Sequence, residues 1–184
     1  RYEFIDDASK DSSSRKNRIR GRFAAIARVN EKLKINLRFA TDEENPTGAN
    51  QDLGHDFSLK DIGLDQYYFA YSISENTSIW GGKIENPYFK ASKSELIFDG
   101  DYNPEGLVLQ FKKGMVFGSL GAFSMDEHES VDDISIAGFQ VGISNKTSTG
   151  AKYKIALARY SFDDIRGRPA SEITWNGKFF GNPT

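Results

Sequence analysis

The 184-residue chain contains no cysteine. That excludes thiol catalysis, a disulfide scaffold and cysteine-based zinc sites. Its two histidines, His55 and His128, stand in polar stretches with no partner at metal-ligand spacing and no Gly-x-Ser-x-Gly motif nearby. They read as solvated loop residues. No run approaches the roughly 20 apolar residues that a membrane helix needs, and no long window carries a 3.6-residue period. A net charge of −2 gives no case for nucleic acid, and the aromatic residues are not interleaved with the basic ones.

What the chain does have is alternation. From Asn17 to Thr41 basic residues recur on every second position with apolar residues between them. Arg18, Arg20, Arg22 and Arg28 share one face of a first strand, interrupted by Ala24 and Ile26, while Ile19, Phe23, Ala25, Ala27 and Val29 share the other. In a second strand Lys32, Lys34, Asn36 and Arg38 oppose Leu33, Ile35, Leu37 and Phe39. Side chains alternate across a strand, so one face is apolar and the other cationic. An apolar outside over a wet, charged inside is the pattern of a transmembrane β-barrel. Such a barrel keeps a polar average composition because its lipid-facing residues are spread in alternation, and 38% apolar with 13% aromatic residues fits it. A charge pattern alone also fits the solvated face of a soluble sheet. An Arg or Lys at the lipid midplane costs about 2–4 kcal/mol, so the pattern by itself says that this face is wet.

Strands are expected near Arg18–Val29, Lys32–Thr41, Ile62–Ile73, Thr77–Glu85, Gly106–Lys112, Phe117–Met125, Ser135–Ser144 and Ala151–Phe162. Residues 1–16 read as a polar lead-in, 17–165 as the strands and their connections, and 166–184 as a loop. Asn30-Glu31, Ser74–Asn76, Lys113-Gly114 and Asn145–Gly150 are short and carry turn residues. Asp42–Asp61, Asn86–Glu105, Asp126–Asp133 and the stretch after Asp163 are longer and polar. Short and long connections thus alternate, as periplasmic turns and external loops do in outer-membrane barrels. An eight-stranded barrel is filled by its own side chains, so this many long cations on adjacent strands suit a wider barrel, with about 16 strands the candidate size.

Three stretches resemble the outer-membrane putative porin family of Gram-negative bacteria: Leu64–Ser72 (LDQYYFAYS), Gly81–Phe89 (GGKIENPYF) and Phe98–Phe111 (FDGDYNPEGLVLQF). The Arg-rich opening and the strand to Thr41 resemble that family's first hairpin, and the likeness runs over roughly residues 17–162. It implies an all-β, antiparallel, up-and-down transmembrane barrel in the bacterial outer membrane, passing ions and small hydrophilic solutes. It implies no catalytic residue and no cofactor. Outer-membrane lipids, the solutes themselves and a homo-oligomer such as a trimer are the partners it suggests. The opening Arg1-Tyr2-Glu3, without an apolar leader, and the closing Gly181–Thr184 suggest an N-terminal fragment of a longer barrel.

The candidate pore-lining residues are therefore Arg18, Arg20, Arg22, Arg28, Lys32, Lys34, Arg38 and Lys83, with Lys112 and Lys154 as weaker additions. Lipid-facing candidates include Phe23, Leu37, Leu107, Phe111, Phe139 and Ile143. The run Asp99–Glu105 has the Asp-x-Asp-x-Asn opening of a calcium loop, but Pro104 replaces the expected Gly and Gln110 the expected Glu. No metal is expected there. Asp99, Asp101 and Glu105 read instead as an acidic constriction loop facing the basic wall. Gly81-Gly82-Lys83 lacks the spacing of a phosphate loop, and its glycines mark a bend or close backbone approach. Two other readings fit the residues: a soluble β-sandwich that binds carbohydrate on its aromatic set, or a small structural or adhesive barrel working through its loops.

Overall fold

The computed structural model describes residues 2–7, 12–41, 50–53, 59–126 and 134–166. His55 and His128 lie outside the described residues. Eleven strands follow in order: β1 Tyr2–Asp7, β2 Ser12–Ile19, β3 Arg22–Arg28, β4 Leu33–Thr41, β5 Gln51–Asp52, β6 Ile62–Ser74, β7 Thr77–Lys83, β8 Glu105–Lys113, β9 Val116–Asp126, β10 Ile134–Lys146 and β11 Lys152–Asp163. The fold is all-β. One sheet has eight strands in the order β11-β10-β9-β8-β7-β6-β4-β3, and a second has three, β1-β2-β5. Every pairing is antiparallel. Neighbours in the large sheet follow chain order apart from the short β5, which is the up-and-down meander of barrel walls.

Two expectations change. The opening strand is not continuous: it breaks at Arg20-Gly21 into β2 and β3, which pair in different sheets. Gly21 and Thr41 still bond to each other, after which Arg18 and Ile19 pair with Asp52 and Gln51 of β5. The alternation of charges runs through the break and so hides it. Within the aperiodic opening, residues 2–7 form β1 and residues 12–16 most of β2. Backbone ladders need no particular side-chain pattern, and only burial of one face imposes alternation.

Register assigns the faces. Arg22, Ala24, Ile26 and Arg28 stand opposite Ala40, Arg38, Asn36 and Lys34 on one face, while Phe23, Ala25 and Ala27 stand opposite Phe39, Leu37 and Ile35 on the other. The apolar face continues through Tyr67, Phe69 and Tyr71 to Ile79, Leu107, Leu109, Leu120, Phe139 and Leu157. Among the described residues nothing covers it: Phe23, Leu120 and Leu157 are 69%, 57% and 77% exposed. Polar residues on this face include Lys83, Glu105 and Ser161 toward the long-connection ends of their strands, Thr77 and Lys113 beside short turns, and Arg159 within β11. A bulge at Arg38/Phe39 shifts the phase of β6. It absorbs Asp65, so that Leu64 and Tyr67, three positions apart, share the apolar face.

The opposite face carries the core. Ile84, Tyr88, Phe98, Val108, Phe123 and Ile136 form one buried cluster. Three of these six belong to the connection between β7 and β8, which folds back over the sheet instead of standing away from it. Laid flat, β3 and β11 would be seven strand spacings apart, roughly 33 Å. Yet within this one connection Asp101 bonds Arg22 of β3, and Phe98, stacked on Tyr102, packs 5.1 Å from Tyr160 of β11. A loop this compact reaches both edges only if the sheet curls around it, which makes the loop-bearing face the concave one.

Candidate functional site: a latched loop inside a curled sheet

The inward loop is fixed at three places. At its start Tyr88 reaches across to β9 and β10. Its phenol lies over the cross-strand pair Gly121 and Gly138, and a Cβ at Gly138 would collide with its hydroxyl. Glycine at both positions opens the slot. The hydroxyl lies against the Gly121 backbone without a well-aligned hydrogen bond, and burial raises the phenol's pKa. The ring meets Phe123 and Tyr160 edge-on at 6.2 and 5.0 Å and stacks on Phe98.

One residue on, Gln140 treats the loop backbone as a strand. Its Oε1 accepts from Phe89 N at 2.7 Å and its Nε2 donates to Phe89 O at 3.0 Å. Ser119 donates its hydroxyl to Pro87 O at 3.2 Å. Gln140 and Ser119 are therefore buried polar residues whose hydrogen bonds are met by the loop they hold.

At its far end the loop meets the basic wall. Asp101 Oδ2 is 2.8 Å from an Arg20 guanidinium nitrogen, and Asp101 Oδ1 is 2.8 Å from one of Arg22. Asp65 on β6 pairs with Arg38 at 2.6 Å and Arg22 at 3.5 Å, and Asn103 donates to Asp65 at 2.7 Å. The Gln66 carboxamide fills the space beside Arg38 and Asn103. Burial works to raise the pKa of Asp101, but its bonds to Arg22 and Arg20 outweigh that and hold it below the ordinary carboxylate value. Asp99 Oδ1 caps the turn by accepting from Asp101 N at 2.7 Å.

Arg20, Arg22 and Arg38 thus converge on Asp101 and Asp65. Arg28 and Lys34, cross-strand partners at the other end of the concave face, have no carboxylate partner among the described residues. The remaining candidates fall elsewhere. Arg18 pairs with Asp52 at 2.7 Å in the smaller sheet. Lys32 lies in the turn before β4. Lys83 and Glu105 face each other across β7 and β8 on the apolar face, because period-two counting from Ile79 and Leu107 puts them there. Nothing in the local sequence marks Asp65 or Gln140 as partners of the wall and the loop. Asp65 reaches the wall through a bulge and Gln140 acts over 51 residues of sequence.

The apolar exterior, the polar concave interior and the alternation of tight turns with long connections define a wall of the outer-membrane β-barrel class. The comparison with known families agrees: a model described as "Putative porin" matches residues 4–181. The chain belongs to the putative porin family. That membership gives it an outer-membrane, porin-like role in general. No curated protein matches it. Among the described residues no helix is long and apolar enough to cross a membrane, which leaves crossing by strands untouched.

Proposed function

We propose that this chain forms part of the wall of an outer-membrane pore through which ions and small hydrophilic solutes diffuse passively. One observation carries the reading: a curled sheet, apolar outside, encloses a loop tied by Asp101 to the arginines of its inner wall. The outer face is mostly apolar, which suits lipid. The inner face holds Arg20, Arg22, Arg28, Lys34 and Arg38, side chains that need water or counter-charge. The edges of β3 and β11 would be paired in the intact barrel, since unpaired strand edges are not tolerated in lipid. The inward loop narrows the lumen and sets the size limit, and the wall charges bias the ions that pass. Outer-membrane lipids and small solutes are the partners this reading requires. A trimer is compatible with it.

The test is single-channel conductance of the full-length protein in a planar bilayer. Discrete steps with a measurable salt-gradient reversal potential support a pore. Silence from folded, inserted protein would sink the reading and favour a structural barrel.

A further inference from the structure

The two ends of the concave face differ in how their cations are compensated. At the long-loop end Arg20, Arg22 and Arg38 are matched by Asp65 and Asp101. At the short-turn end a cavity of about 460 Å³ receives Lys112 of β8 and Lys154 of β11, and neither has a carboxylate partner among the described residues. The acid in its lining is Glu75, in the β6–β7 turn at the rim.

Lys154 is held in place. Its Nζ lies 4.3 Å from the ring centroids of both Phe89 and Phe117, which meet edge-on at 6.2 Å. Phe89 in turn is fixed through the two Gln140 bonds. Two ring faces hold the ammonium and bring no carboxylate to it, so N–H donors remain for a ligand. Hydroxyls complete the lining. Ser78 Oγ accepts from Trp80 Nε1 at 3.0 Å, which leaves its own proton to donate, and Ser72 and Ser144 border the same space. Two ammonium groups with hydroxyl donors, and no acid inside the rim among the described residues, form a set of donors suited to an anion with several oxygens.

We propose that this turn-side vestibule binds a small oxyanion of the phosphate class, which makes such anions preferred solutes. The inference rests on the pore reading for its transport consequence but not for the binding itself. The probe is inorganic phosphate, titrated calorimetrically into the folded full-length protein in detergent. Saturable binding is expected, weakened at least tenfold by Lys112→Gln with Lys154→Gln and severalfold by Ser78→Ala. Removing equal charge with Lys60→Gln and Arg166→Gln, both in long connections outside the strands, should change it little. No binding by the unaltered protein, or equal loss in both charge-removal variants, overturns the site and reduces it to diffuse attraction. Chloride conductance separates the two readings. Steps in potassium chloride without phosphate binding leave the pore and remove the site. Phosphate binding without steps does the reverse.

Discussion

Gln140 on β10 exchanges two hydrogen bonds with the backbone of Phe89, so a side chain closes a loop onto a sheet in the way a strand would. Both polar ends of the carboxamide are used, and the residue is 3% exposed. Replacing Gln140 with Leu removes both bonds to Phe89 N and O in a half-buried place, a loss of about 1–3 kcal/mol for the two together. The expected result is a protein that still inserts but whose loop is cut faster by protease and whose current is noisier. An unchanged cleavage rate would show that the aromatic cluster alone fixes the loop.

The slot beneath Tyr88 gives a sharper test of the same loop. Gly138→Ala places a methyl group where the phenol hydroxyl sits. Overpacking of this kind costs about 1–3 kcal/mol, and here the cheapest relief is for the loop to lift. Single-channel conductance should rise while the sheet's circular dichroism stays constant. A fall in conductance would mean that the loop had moved further inward.

Asp101 bridges two arginines. Asp101→Asn should leave Arg20 without its carboxylate and Arg22 with Asp65 alone, and move the reversal potential toward anions. Arg20→Glu with Arg22→Glu should do the opposite, and like charges would also push the loop away, so conductance should rise with the cation shift. If the reversed variant fails to insert, those side chains do not face water.

The pH dependence follows from the same carboxylate. Its pKa is depressed in the folded protein, so the latch is present above the ordinary carboxylate value of 3.8 and is lost only as pH falls below it, through the depressed folded value. Conductance should therefore hold steady from neutral pH down to about 4 and change only in stronger acid. Asp101→Asn should abolish that acid step. A step near pH 6 in the unaltered protein would assign the change to another group.

Much of this was legible from period-two patterning. Counting alternate positions put Phe39, Leu107, Phe139 and their neighbours on the outside and Arg22 and Arg38 inside, and turn residues marked where β6, β8 and β10 reverse. Local patterning could not show where an unbroken alternation changes partners, as at Gly21, because the break alters pairing and leaves the phase intact. It also could not show that Asp65 is a bulge residue, or that glycines in β9 and β10 make room for a tyrosine far earlier in the chain. The acidic run at Asp99–Glu105 pointed to an inward loop. The geometry divides its three acids: Asp101 binds the wall, Asp99 shapes the turn, and Glu105 stands on the other face.

That division of faces can be measured directly on β3 and β4. Ile26 sits on the concave face among Arg22, Arg28 and Lys34 and is 67% exposed, whereas Leu37 is on the apolar face in mid-strand. If the apolar face meets lipid, Leu37→Arg should cost about 2–4 kcal/mol, read as a lower denaturant midpoint for folding into vesicles. Ile26→Arg adds the same charge to a wet wall, so stability should change little and the reversal potential should move toward anions. Equal tolerance of both substitutions would mean that both faces are in water, and a soluble sheet would then replace the barrel. Intolerance of Ile26→Arg alone would mean that the face assignment is inverted at this hairpin.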